Sequence, residues 1–184
     1  HISGISKRKI DFIFKKTDYK TVVTEYHYVT AGITPYEKLI KLAKDLKDPT
    51  MIYCRSPNSV NRVAIELIES GEFFNDRIEV HKAAEWISNN YHQDWLFVKA
   101  LEHGIGIHHG KIPRSLAQYL IRSFNSGKIK YLLCTSTIIE GVNTSAKNVI
   151  IFDNKIARKK IDYFTFNNIS GRSGRMFRHF IGNV

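Results

Sequence analysis

The chain has 184 residues, of which 43% are hydrophobic and 24% charged. That balance fits one soluble globular domain with a filled core and excludes a low-complexity or collagen-like chain. No apolar stretch approaches the ~20 residues of a membrane span, and no signal-peptide pattern opens the sequence, so an intracellular protein without membrane contact is expected. The net charge of +11 is uneven: residues 1–100 carry 15 Lys+Arg against 13 Asp+Glu, and residues 101–184 carry 13 against 4. A one-sided basic excess suggests a polyanion partner, although charge alone equally fits an ordinary basic domain.

In chain order, residues 1–30 alternate charged and β-prone residues and read as a lead-in, with Asp18-Tyr19-Lys20 as the turn of a hairpin. From Tyr36 the period becomes helical, with Leu39, Leu42, Ala43 and Leu46 on one stripe. Asp48-Pro49 ends that helix. Met51 to Cys54 is a short buried strand. Ser56 then reads as an N-cap, with Pro57 at the first helical position. Val60, Val63, Ala64, Leu67 and Ile68 form the next buried stripe, and Gly71 follows its end.

Ala84, Ile87, Tyr91, Trp95 and Val98 keep a helical spacing that Asn89-Asn90 can interrupt. Trp95 reads first as core and second as a base-stacking platform. Gly104 to His109 is a strand running into a loop. Pro113 opens a helix with Ala117, Leu120, Ile121 and Phe124 inward, closed by Gly127. Tyr131–Cys134 and Asn148–Phe152 are two further apolar strands. Cys54 and Cys134 are the only cysteines. Each lies in an apolar run, so both read as reduced core thiols rather than as a zinc site.

Apolar strands separated by helices imply a parallel sheet covered on both faces. Functional residues in such sheets gather beyond the carboxyl ends of the strands. Arg55, His109, Thr135 and Asp153 all follow strand ends, which places them along one rim. The adjacent His108 and His109 lack further ligands at useful spacing, so no metal site is assigned.

Two segments carry the chemistry. Gly171-Arg172-Ser173-Gly174-Arg175 brings two guanidinium forks close together between glycines, and such forks suit phosphate oxygens. By itself the segment is also a plain flexible basic loop. Thr135-Ser136-Thr137, with Glu140-Gly141-Val142-Asn143 after it, follows an apolar strand and would otherwise be a helix cap. No GxxxxGK[ST] phosphate loop occurs in the sequence.

Together these segments resemble motifs V and VI of the superfamily-two DEAD/DEAH (DExH, superkiller-like) helicases. Tyr53-Cys54-Arg55-Ser56 resembles motif IV, and His108-His109-Gly110 resembles the paired histidines before the helix leading to motif V. Asn168 stands where the family usually has Gln. Leu116-Ala117 stand where Glu-Arg is common, with Arg114 nearby as the substitute for a backbone contact. The resemblance covers roughly residues 34–184. It implies a RecA-like α/β fold over 31–184, the second lobe of a helicase, preceded by an interdomain segment over 1–30. Phe180 to Val184 fall where the family begins another strand, as at a fragment boundary.

The resemblance further implies that Arg172 and Arg175 act as catalytic arginine fingers on ATP held with Mg²⁺ mainly by a separate first RecA-like lobe. Gly141, Asn143, Asn168, Gly171 and Gly174 would line the nucleotide. Arg55, Ser56, His109, Arg114, Thr135 and Thr137 would hold a single strand of DNA or RNA by its backbone. The 184 residues alone should then hydrolyse no ATP. The rival reading is a non-catalytic nucleic-acid-binding module with a degenerate RecA-like fold, which would have no need of both Arg172 and Arg175.

Overall fold

The computed structural model describes residues 22–23, 25, 27–29, 31–136, 144, 146–153, 155–156, 159–160, 166, 168–169 and 182–183. Eight strands and five helices lie within them: β1 (Val22–Val23), α1 (Pro35–Asp45), β2 (Thr50–Tyr53), α2 (Pro57–Glu69), α3 (Ile78–Asn90), α4 (Leu96–Glu102), β3 (Ile105–His108), α5 (Arg114–Asn125), β4 (Tyr131–Cys134), β5 (Asn148–Ile151), β6 (Lys155–Ile156), β7 (Lys159–Lys160) and β8 (Gly182–Asn183). The turn expected at Asp18–Lys20 lies outside the described residues.

Six strands form one sheet in the order β1-β8-β5-β2-β4-β3, and every pairing in it is parallel. The four-residue strands β5, β2, β4 and β3 run side by side in matched register, with Tyr53 opposite both Ile151 and Cys134. β2, β3 and β4 are buried along their whole length. This accounts for the lack of polar alternation in them, because a parallel strand covered on both faces has no solvent side to alternate toward. The crossover from β2 to β3 carries α2, α3 and α4, and the return from β3 to β4 carries α5. Right-handed connections in opposite directions put these groups on opposite faces. β6 and β7 pair antiparallel as a separate ribbon.

Local chemistry sets the helix ends. Thr34 and Glu37 form a reciprocal capping box at α1, with Pro35 behind it. Ser56 Oγ accepts the Ser59 N–H at 3.2 Å, with Pro57 at the start of α2. Gly71 and Gly127 follow α2 and α5 with φ of +66° and +72°, a backbone region that L side chains avoid. The stripe from Val60 to Leu67 is fully buried, as are Leu120 and Phe124 on α5. The helical spacing through Trp95 is broken: α3 ends at Asn90 and α4 starts at Leu96. Tyr91 is exposed, while Trp95 is half-buried and stacks on Phe97 with centroids 4.6 Å apart. A Cβ on Gly106 of β3 would lie 2.8 Å from Ile129 Cδ1 and 3.1 Å from Leu132 Cδ1. The missing side chain leaves room there for the tips of Ile129 and Leu132 to pack on the strand.

Candidate nucleic-acid interface

The parallel sheet brings four sequence-distant residues to one rim. In sheet order, Asp153 follows β5, Arg55 follows β2, Thr135 follows β4 and His109 follows β3. Neighbouring strands are about 4.8 Å apart, so the row spans roughly 14 Å. Backbone hydrogen bonds continue the ladder past the strand ends. Cys54 N–H donates to Cys134 O at 2.8 Å, Thr135 N–H to His108 O at 3.3 Å, and Phe152 N–H to Tyr53 O at 3.1 Å. The rim is therefore an extension of the sheet, with its spacing fixed by the core.

Arg55 is exposed, but its base is anchored. Its N–H donates to Asp153 Oδ2 at 3.0 Å, and its Nε lies 3.8 Å from Asp153 Oδ1. The same Oδ2 accepts the Ser59 hydroxyl at 2.5 Å. Asp153 thus ties the end of β5 to the first turn of α2, where a carboxylate also suits the positive end of the helix dipole. Ser56 spends its oxygen lone pair on the cap, and its hydroxyl proton can still donate.

His109 is buried, and its Nδ1 accepts the Lys111 N–H at 3.3 Å. The ring proton therefore sits on Nε2, which can donate. Burial pushes the His109 pKa down, and the Lys111 charge lowers it further. Burial likewise lowers that of His108, with His109 adding to it. At neutral pH both rings are neutral, and His109 offers a neutral donor. Burial pushes the Cys54 thiol up to about 12, with Asp153 adding to the rise, so Cys54 is neither a nucleophile nor a thiolate ligand. Cys54 and Cys134 are both buried and form no disulfide. Among the described residues no three His, Cys, Asp or Glu side chains converge as metal ligands.

Of the other residues singled out in the sequence, Arg114 is the exposed first residue of α5. Asn168 has helical backbone and an exposed side chain, next to the fully buried Ile169. Thr137, Gly141, Asn143, Gly171, Arg172, Gly174 and Arg175 lie outside the described residues. Sequence reasoning placed Asp153 at a strand end but missed its bonds to Arg55 and Ser59. Those partners lie 98 and 94 positions away in the chain, and only the strand order reveals them.

Comparison with known proteins places the chain in a class. Residues 34–177 match the family model described as the helicase conserved C-terminal domain, and the chain belongs to that family. With the parallel sheet, this makes it a RecA-like helicase C-terminal domain of the superfamily-two, DExH type. The whole chain is similar, at 43% identity over 189 residues, to anti-bacteriophage protein B of Escherichia coli (strain K12), of which it covers 25%. It is 25% identical over 153 residues to the ATP-dependent DNA helicase Hel308 of Pyrococcus horikoshii, matching 79% of the chain and 21% of that protein. It is 29% identical over 148 residues to the DExH-box ATP-dependent RNA helicase DExH11 of Arabidopsis thaliana, matching 73% of the chain and 11% of that protein. The chain thus spans about a quarter or less of the length of these relatives.

Proposed function

We propose that this domain is the second motor lobe of an ATP-dependent nucleic-acid helicase working inside the cell, and that its carboxyl-end rim grips one strand by the backbone. The observation that carries the reading is the row of Arg55, Thr135 and His109 on adjacent strand ends, held in sheet register. Arg55 supplies a charged fork, and His109 and Thr135 supply neutral donors. Such a rim tracks phosphates without reading bases, so binding is tolerant of sequence and takes DNA or RNA strands by shared chemistry.

ATP with Mg²⁺, bound mainly by a partner lobe, supplies the phosphoryl transfer that drives the cycle. This chain's part is electrostatic. Arg172 and Arg175 reach the γ-phosphate when the lobes close and offset charge developing on its oxygens. Gly171 and Gly174 let the backbone approach, Asn168 donates an amide hydrogen bond, and Gly141 and Asn143 face the nucleotide. Closure moves the strand held by Arg55, Ser56, Arg114, Thr135 and Thr137.

The test is made in the full-length protein. Arg172→Ala or Arg175→Ala should lower kcat by ~10³, the lower end of what arginine fingers contribute, while ATP binding is largely kept. Lysine should rescue poorly, because it lacks the bidentate fork. Wild-type turnover in both alanine variants would contradict the finger role and favour a non-catalytic nucleic-acid-binding module.

A further inference from the structure

The opposite rim of the same sheet carries a second set of cations that the motor reading does not use. An open cleft of about 630 Å³ lies at the amino ends of β2, β3 and β4, bordered by Pro49, Gly104 and Lys130. Lys44, Lys47, Arg77, Lys128 and Lys130 line it, against the carboxylates of Glu72 and Asp76. Lys44 neutralises Glu72 at 2.5 Å, and Lys128 lies 3.5 Å from Glu79. Lys47, Arg77 and Lys130 have no acidic partner among the described residues. Lys130 instead sits 5.0 Å over the Tyr131 ring. The cleft is therefore left with a cationic surplus that a polyanion would neutralise.

A second, independent feature is Phe74, which is 80% exposed at the cleft beside Phe73 at 3%. The loop that carries it is fastened on several sides. Phe73 packs edge-on against Tyr131, with centroids 5.0 Å apart. Asn75 Nδ2 donates to Lys128 O at 2.9 Å, its Oδ1 accepts the Arg77 N–H at 2.9 Å, and its carbonyl contacts His81 Nε2 at 2.5 Å. Asn75 also packs directly on Gly104, where a Cβ would come within 2.9 Å of Nδ2. The anchored Phe73 fills the core while the anchored backbone holds the next ring in water.

We propose that this cleft is a second nucleic-acid site, taking a single-stranded segment whose phosphates lie against Lys47, Arg77 and Lys130 and one of whose bases stacks on Phe74. Cations beside an exposed ring are how single strands are held without sequence readout. A peptide would need an apolar pocket or a free strand edge to seat its anchors. Here the neighbouring apolar residues Phe73 and Ile129 are already buried in the core, and the strands meet the cleft end-on. Strands of four residues separate it from the Arg55 rim by roughly 13 Å of sheet, so the two sites are distinct. The inference rests on nucleic acid being a partner of the protein, but not on the assignment of the Arg55 rim.

The test uses the full-length protein and a single-stranded oligonucleotide carrying 4-thiothymidine, with ultraviolet cross-linking, mass spectrometry and fluorescence anisotropy. Cross-links are expected on the peptide holding Phe74 to Arg77 as well as near Arg55 or Thr135. Phe74→Ala should weaken binding roughly 5- to 160-fold, the range for one base stacked on one ring, and Phe74→Trp should restore it. The double variant Arg77→Glu, Lys130→Glu should flatten the log–log salt dependence by about 0.7 per lost phosphate contact. Cross-links confined to the Arg55 rim, with Phe74→Ala binding like wild type, would overturn the cleft site and leave the motor reading standing. Cross-links on neither rim would overturn both. Unchanged oligonucleotide binding in the charge-reversed variant, with loss of affinity for a polyglutamate peptide, would overturn it in favour of an acidic protein partner.

Discussion

The two ends of one parallel sheet hold their cations in opposite ways. At the carboxyl rim, Arg55 is bonded through its backbone to Asp153 and stands beside buried donors in strand register. At the amino rim, Lys47, Arg77 and Lys130 gather around a cleft with little acidic compensation, next to an exposed ring. The first arrangement fixes a few groups at set intervals. The second offers a field and a stacking surface, which suits a strand held loosely. Parallel topology produces the contrast. Functional loops collect where strands end and crossovers begin, and in this sequence the chain arriving at the amino ends carries Lys44, Lys47, Lys128 and Lys130.

Removing Asp153 should break the comparison most strongly. Hydrogen bonds to a charged group are worth about 1.5–3 kcal/mol each, and Asp153 Oδ2 accepts two, from Arg55 and Ser59. In the full-length protein Asp153→Ala should speed hydrogen exchange of amides at the start of α2 and the end of β2 by roughly 30-fold, the equivalent of ~2 kcal/mol. Amides of Asn75 and Lys128 should exchange as in wild type. Equal acceleration at both rims would mean that Asp153 supports the whole domain rather than one edge. Asp153→Asn should lie between, since an amide oxygen can still accept.

Acid should act on the same rim. His108 and His109 have folded-state pKa values lowered chiefly by burial. The unfolded chain therefore binds more protons between those values and the ordinary value near 6.5. Stability is fully present above about pH 6.5 and is lost as pH falls toward the lowered folded values. Hydrogen exchange of β3 and β4 amides followed from pH 7.5 to 5.5, corrected for intrinsic rates, should show lost protection. His108→Gln should remove part of that dependence. A pH-independent protection would mean that neither ring is held neutral by the fold.

Much of the fold was legible because its signals are local. Ser56-Pro57, the stripe from Val60 to Leu67, and the glycines at 71 and 127 each mark a boundary within one turn of chain. Strand ends could be read from where apolar runs stop, and this was enough to set Arg55, Thr135 and His109 on one rim. What the chain does not spell out is lateral order. The β5-β2-β4-β3 sequence of neighbours makes Asp153 a partner of Arg55, and no spacing rule links them. The break between α3 and α4 falls at Asn89-Asn90, where the sequence allowed an interruption. Tyr91 and Trp95 keep helical spacing, yet Tyr91 is exposed and Trp95 stacks on Phe97 from outside the helix. The basic cleft was invisible because its cations come from three separate segments around residues 44–47, 77 and 128–130.

The most direct test of the phosphate track is the salt dependence of single-strand binding by the full-length protein with and without the Arg55 side chain. Fluorescence anisotropy at several salt concentrations gives the log–log slope. Arg55→Ala should reduce its magnitude by about 0.7, one single-strand phosphate, while Thr135→Val should weaken binding with the slope unchanged, since it removes a neutral donor. A slope for Arg55→Ala equal to that of the wild type would contradict the account.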